Sequence, residues 1–199
     1  MKLYYSPPSP FARKVRLTAA VLGIKLDLVS MDVFNAPPSY TKINPLIKVP
    51  ALEMPSGEIL VNSPFICQYL AQTHSQGFKI FPQGPELWQA LNIQAIADGG
   101  AEACMARRWE AAIRAPDKFD PKIDQRHKEK MVNAFDYFEN NLFLFSTSEM
   151  SIKEISLISF VDYVNFRFPH EKWGDRYPRV FGWAEKWNKV SYVGETYKL

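Results

Sequence analysis

The sequence predicts an α/β unit followed by an all-helical unit, and three observations carry that prediction. Over about the first 75 residues, short apolar runs alternate with amphipathic stretches and a hairpin signal. From Glu86 onward the pattern changes to long helical segments separated by short breaks. Between the two lies HSQGFKIFPQGP, rich in Gly and Pro, which reads as a connection. The expected organisation is therefore an α/β domain over 1–75, a linker over 76–85 and a helical domain over 86–199.

KLYY at 2–5, ended by prolines, reads as a strand. A helix should follow, with Ser9 at its N-cap and Pro10 at its first position. Val15, Leu17, Ala19, Val21 and Leu22 give it an apolar face, and Gly23 stops it. LDLVSM at 26–31 reads as a second strand. NAPPSY and the stretch through Ile43 lead into NPLIKVPAL, whose end resembles a third strand. PSG at 55–57 is a turn signal, so VPALEM and EILVN form an expected hairpin. Ser63 is placed as the cap of the next helix, with Pro64 at its first position.

In the second half, helices are expected over about 86–114, 122–144, 151–168 and 178–190. The third has the clearest start: Ser151 and Glu154 in SIKE form a capping box, with Met150 and Ile155 at hydrophobic-staple positions. Ile158, Phe160, Val161 and Val164 then make it apolar almost all round, apart from Asp162 and Asn165, so it belongs at the centre of its domain.

With 47% hydrophobic and 23% charged residues the chain has an ordinary globular composition. A net charge of +3, with no long run of bases, does not indicate nucleic-acid binding. The two cysteines, Cys67 and Cys104, have no partner motif, and the three histidines show no metal spacing, so neither a disulfide framework nor a metal site is expected. The N-terminus lacks a secretion-signal h-region, and no apolar run approaches the roughly 18 residues of a membrane span. A cytoplasmic protein is expected, with no membrane partner.

SPPSPFARKVRL after the first strand, NPLIKVPAL before the hairpin and NSPFICQYL after it occur in an order and spacing that resemble the cytosolic glutathione transferases, in particular bacterial and serine-type forms. The resemblance covers nearly the whole chain. It implies a thioredoxin-like N-terminal domain followed by an all-α domain, a homodimer, and glutathione as the co-substrate conjugated to small apolar electrophiles in detoxification. It also implies roles. Ser9 would stabilise the glutathione thiolate; Val49, before a cis Pro50, would pair its main chain with the cysteinyl part; Ser63 would bind the γ-glutamyl carboxylate; and Lys48 is a candidate for the glycyl carboxylate.

Two departures stand out. Asn62 replaces the acidic residue that relatives usually carry for the ligand's ammonium group, and Ile47 stands where glycine is common. The electrophile site would be built from Phe11 and from the helix carrying Arg107, Arg108 and Trp109, which suit an anionic or aromatic co-substrate. Asp98 is a candidate for the ammonium group, and Phe34 for a dimer contact.

The chemistry explains why a serine suffices. A free thiol with a pKa of about 8.5 is mostly protonated near neutral pH. Lowering it by roughly two units requires about 2.7 kcal/mol of preference for the thiolate. One charge-assisted hydrogen bond of about 1.5–3 kcal/mol, helped by a helix N-terminus, is enough. Ser9 remains readable as a plain N-cap, with Tyr4, Tyr5 and Ser6 as rival donors. The different-class alternative is a non-catalytic binding or stress-response protein. Isomerisation, dehalogenation, ether cleavage and peroxide reduction would use the same site.

Overall fold

The computed structural model describes residues 1–112 and 114–197. Four strands form one sheet: β1 (Lys2–Tyr5), β2 (Asp27–Ser30), β3 (Ala51–Glu53) and β4 (Ile59–Val61), in the order β2-β1-β3-β4. β1 runs parallel to β2 and antiparallel to β3, and β3 and β4 are an antiparallel hairpin. The crossover from β1 to β2 is α1 (Pro10–Val21), which ends where Gly23 takes a φ of +68°, a conformation that suits glycine. α2 (Ser63–Gln72) follows β4 and packs beside α1.

Alternation along β1 sorts the two faces of the sheet. Leu3 is fully buried in the core, whereas Tyr4 meets Tyr40 edge-on with ring centroids 5.9 Å apart. Tyr40 belongs to a short 3-10 turn (Pro38–Lys42) between β2 and β3.

The rest is helical: α3 (Pro85–Ala112), α4 (Pro121–Asn140), α5 (Ile152–Arg167), α6 (Trp173–Arg176), α7 (Pro178–Asn188) and α8 (Ser191–Tyr197). The expected 86–114 helix crosses residue 113, and the helical unit runs on to 198–199; these three positions lie outside the described residues. α4 ends earlier than expected, giving way to a 3-10 turn at Leu142–Leu144, and α6 and α8 are additional short helices.

α5 is the axis of this half. Its capping box forms as expected: Glu154 accepts from the Ser151 N–H at 2.9 Å, and the Ser151 hydroxyl accepts from Lys153 N–H. Nearly every residue from Ile152 to Val164 is buried. α3 lies against it at Gly100, where a Cβ would come within 2.7 Å of the Phe160 ring, so any larger side chain would have to displace that ring within the packed core.

The bases that follow Ser9 tie the two halves together. Arg13, buried in α1, pairs with Asp162 of α5, and its Nη2 donates to Asn188 at 3.0 Å. Lys14, 1% exposed, donates to both carboxylate oxygens of Asp98 in α3 at 2.7 and 2.5 Å. Arg16 donates to the main-chain carbonyls of Thr196 and Glu195 in α8. Asp98 is thus engaged within its own chain.

Candidate functional site

The register of the sheet gathers the residues of interest at one end. Tyr4 pairs with Ala51, and Ala51 pairs with Val61. The loop leaving β1, the approach to β3 and the exit from β4 therefore share an edge, and they carry Ser9, Val49-Pro50 and Asn62-Ser63 respectively.

Ser9 caps α1. Its hydroxyl oxygen accepts from the Ala12 N–H at 3.2 Å, and its carbonyl accepts from Arg13 N–H at 2.9 Å. A hydroxyl that accepts in this way keeps its own proton to donate, and the capping bond polarises it further. Pro10 has no N–H, so the Phe11 N–H is the donor at this helix end without a partner among the described residues. The rival tyrosines are occupied. The Tyr4 hydroxyl donates to Glu53 at 3.1 Å, and the Tyr5 ring lies under the Arg16 guanidinium at 5.2 Å.

The Val49-Pro50 peptide bond is cis. The turn before it is clamped at one carbonyl: Lys48 C=O accepts from the Tyr40 hydroxyl at 3.0 Å and from Asn44 Nδ2 at 2.8 Å. Asn44, 2% exposed, also accepts from Leu46 N–H. The main-chain N–H and C=O of Val49 have no partner among the described residues. The Lys48 side chain is exposed. Ile47 adopts a φ of +51°, the left-handed region that glycine occupies without cost and a β-branched residue does not.

The expected cap of α2 needs correcting. Asn62, with a φ of +74°, holds the cap position, and Ser63 is the first helical residue and makes no capping bond. The reason is local: Asn tolerates positive φ and turns the chain into the helix by itself, as the Ile66 N–H to Asn62 C=O bond of 3.1 Å records. Ser63 Oγ is consequently buried with no hydrogen-bond partner, at a helix N-terminus. Asn62 is exposed, and its side chain makes no capping bond.

Beside Ser9 lies a small cleft of about 20 Å³ between the β1–α1 loop and the helical half. Pro7, Pro8 and Pro10 line one side of it; Tyr163, Phe166 and Tyr197 line the other. Of the expected electrophile-site residues, Arg107 and Trp109 are placed elsewhere. Arg107 is buried in an ion cluster with Asp124 and Glu171, donating to each through two bonds of 2.9–3.1 Å. Trp109 lines a separate groove with Phe34, Ile123 and His127, and Phe11 packs against the core. Arg108 is half-buried, and its Nη1 has no hydrogen-bond partner among the described residues.

Sequence reasoning missed Tyr163 and Phe166, although their three-residue spacing at the end of the core helix was a readable signal of a shared face. It also missed Tyr40 and Asn44, whose role depends on a turn.

Both cysteines are buried and free. Burial pushes the Cys67 thiol up to about 11 and the Cys104 thiol up to about 12. Among the described residues no group of three or more His, Cys, Asp or Glu side chains is arranged to hold a metal, and no helix is long and apolar enough to cross a membrane.

Residues 3–78 match the family model for the glutathione S-transferase N-terminal domain. The chain is 30% identical over 170 residues to the uncharacterized GST-like protein YibF of Escherichia coli (strain K12), covering 84% of this chain and 83% of that one. A glutathione transferase family member from Pseudomonas fluorescens Pf-5 with bound glutathione superposes with a TM-score of 0.90 at 28% identity, covering 98% of this chain and 97% of that one. A structure of such a protein from the same organism with bound S-(propanoic acid)-glutathione superposes with a TM-score of 0.89 at 28% identity, covering each chain fully at 100%.

Proposed function

Because this chain belongs to the glutathione S-transferase family, we propose that it binds glutathione along the shared sheet edge and delivers the thiolate to a small electrophile with an apolar body. The observation that carries this reading is the unpartnered, buried Ser63 hydroxyl, set at the same sheet end as Ser9 and the unpaired Val49 main chain. A buried hydroxyl without a partner is costly, and a ligand carboxylate at the N-terminus of α2 satisfies it. The Val49 N–H and C=O then pair with the ligand's cysteinyl unit as an added strand, and Lys48 reaches the glycyl carboxylate from solvent.

This arrangement aims the glutathione sulfur at α1. There the Ser9 O–H and the Phe11 N–H donate to it, and the helix end adds its field. The thiol proton leaves to solvent on binding. The thiolate then forms the new S–C bond at the electrophile, and the displaced electron pair leaves with a halide or comes to rest on an adjacent carbon. The bound glutathione of the Pseudomonas fluorescens relative supports the ligand assignment, and its S-(propanoic acid) conjugate supports room for a group on the sulfur.

A homodimer belongs to this reading, with the 66% exposed Phe34 at the contact. So does a cytoplasmic, detoxifying role, in a reducing compartment where both cysteines stay free. The 1–75 domain would hold glutathione and the helical domain would supply the cleft wall. Asn62, an exposed neutral amide where the family resemblance implies an acid, favours the second reading, a weakly binding and non-catalytic relative.

Calorimetric titration of glutathione in two buffers of different ionisation enthalpy separates the two. Binding with proton release that falls in Ser9→Ala supports the transferase. Binding without proton release supports the second reading, and no binding removes both.

A further inference from the structure

We propose that Tyr40 and Asn44 are positioning residues for glutathione: together they clamp the Lys48 carbonyl inward and so aim the Val49 N–H outward, at the ligand's cysteinyl carbonyl. This assignment rests on the glutathione-binding reading above and adds the residues that prepare its strand-like docking edge.

The clamp is built from two buried side chains. The Tyr40 hydroxyl donates to Lys48 C=O at 3.0 Å, and Asn44 Nδ2 donates to the same oxygen at 2.8 Å. Each residue is 2% exposed. A carbonyl oxygen has two lone pairs, so both are filled and the C=O is held from two directions. Both donors are themselves anchored. The Tyr40 ring meets Tyr4 of β1 edge-on, and Tyr4 is paired with Ala51 at the start of β3. Asn44 Oδ1 accepts from Leu46 N–H at 3.0 Å. Its main-chain N–H donates to Tyr40 C=O and its C=O accepts from Ile47 N–H, each at 2.9 Å. Burial pushes the Tyr40 hydroxyl up to about 12, so it remains a protonated donor at neutral pH.

The consequence lies in one peptide unit. Lys48 C=O and Val49 N–H belong to the same planar group, and among the described residues only the Val49-Pro50 bond is cis. In a trans unit these two bonds point in opposite directions. A carbonyl drawn toward buried Tyr40 and Asn44 therefore turns the Val49 N–H toward the open side of the turn. That N–H has no partner among the described residues, and Val49 is only half-buried. Local backbone preference alone does not give this orientation. Ile47, just before the clamped unit, stands at a φ of +51°, where a β-branched residue is disfavoured. Such a conformation persists when surrounding contacts over-determine it, and the two buried donors are such contacts.

An N–H held in place before the ligand arrives loses little freedom on binding. It selects an acceptor on an extended ligand, as the donor of a neighbouring strand does. The cysteinyl α-carbon carries both the carbonyl and the CH2–SH arm, so docking the carbonyl also sets where the sulfur lies relative to Ser9.

The test uses three thiols by calorimetry: glutathione, γ-glutamylcysteinamide and γ-glutamylcysteamine. The last two differ only in that the second has no cysteinyl carboxamide. The wild type should bind the amide about 3- to 10-fold more tightly, the size of one neutral hydrogen bond. That ratio should fall at least about 2-fold in Tyr40→Phe and in Asn44→Ala, and to near one when the two are combined. Each ratio is taken within one protein, so a general loss of folding lowers both ligands alike and leaves it unchanged. If the combined variant fails to fold, Tyr40→Phe decides, because it keeps the ring and its contact with Tyr4. A wild type that binds glutathione but does not distinguish the amide, or a Tyr40→Phe protein with the wild-type ratio, overturns the clamp alone. Absence of glutathione binding overturns the underlying function and this assignment with it.

Discussion

The guanidinium of Arg13 in α1 is locked to the carboxylate of Asp162 in the buried middle of α5. Asn188 Nδ2 donates to both oxygens of the same carboxylate at 3.0 and 2.9 Å, and Arg13 Nε donates to Thr196 in α8. The helix that begins at Ser9 is thus fastened to the helical half by charge. Arg13→Ala should cost about 3–5 kcal/mol, because it strands a buried carboxylate. Arg13→Met with Asp162→Leu should cost clearly less than the two single changes summed. Urea unfolding of the four proteins measures both.

Ser9 holds two jobs in one hydroxyl, and glycine separates them. As an N-cap, glycine costs only a few tenths of a kcal/mol relative to serine, whereas alanine costs about 0.5–2 kcal/mol. Ser9→Gly should therefore melt close to the wild type yet lose most of the ultraviolet thiolate absorbance of bound glutathione near neutral pH. Retained absorbance would assign the sulfur to the Phe11 N–H and the helix end instead.

Ile47 occupies a left-handed position at a φ of +51°. Ile47→Gly removes a backbone cost of about 1–2 kcal/mol and gives back part of it as unfolded-chain entropy. The net expectation is a gain of up to about 1 kcal/mol, read as a higher denaturation midpoint at constant slope.

Glu171 makes stability depend on acid. Burial raises its carboxyl, and the hydrogen bonds and charge of Arg107 more than offset this, leaving it below the ordinary 4.5. A depressed carboxyl contributes stability that is present above the unfolded-state value and is lost as pH falls through the folded one. The advantage of the wild type over Glu171→Gln should hold at neutral pH and shrink below about pH 4.5. Thermal melts of both proteins across that range check the sign; a gap that widens in acid would contradict it.

The features legible in sequence were those written in local chemistry. Pro10 after Ser9, the PSG turn and the SIKE box act within one turn of chain, and each marks its element in the structure. What tertiary contact decides was not legible. Arg107 and Arg108 are neighbours in sequence but about 100° apart on a helix, and only tertiary contact decides that Arg107 joins an ion cluster with Asp124 and Glu171 while Arg108 does not. Ser63 looked like a cap because its residue type caps well. The positive φ of Asn62 took that role and left the Ser63 hydroxyl free. α6 and α8 are too short to show a period, and their ends are defined by what they pack on.

The two buried thiols, raised to about 11 and about 12, have a practical consequence. At neutral pH the folded chain contributes almost no thiolate of its own, so it is a dark background for sulfur. Ultraviolet thiolate absorbance, or the rate at which an alkylating dye is consumed, then reports the ligand's sulfur directly. A sudden rise in protein-derived signal would announce unfolding in the same cuvette.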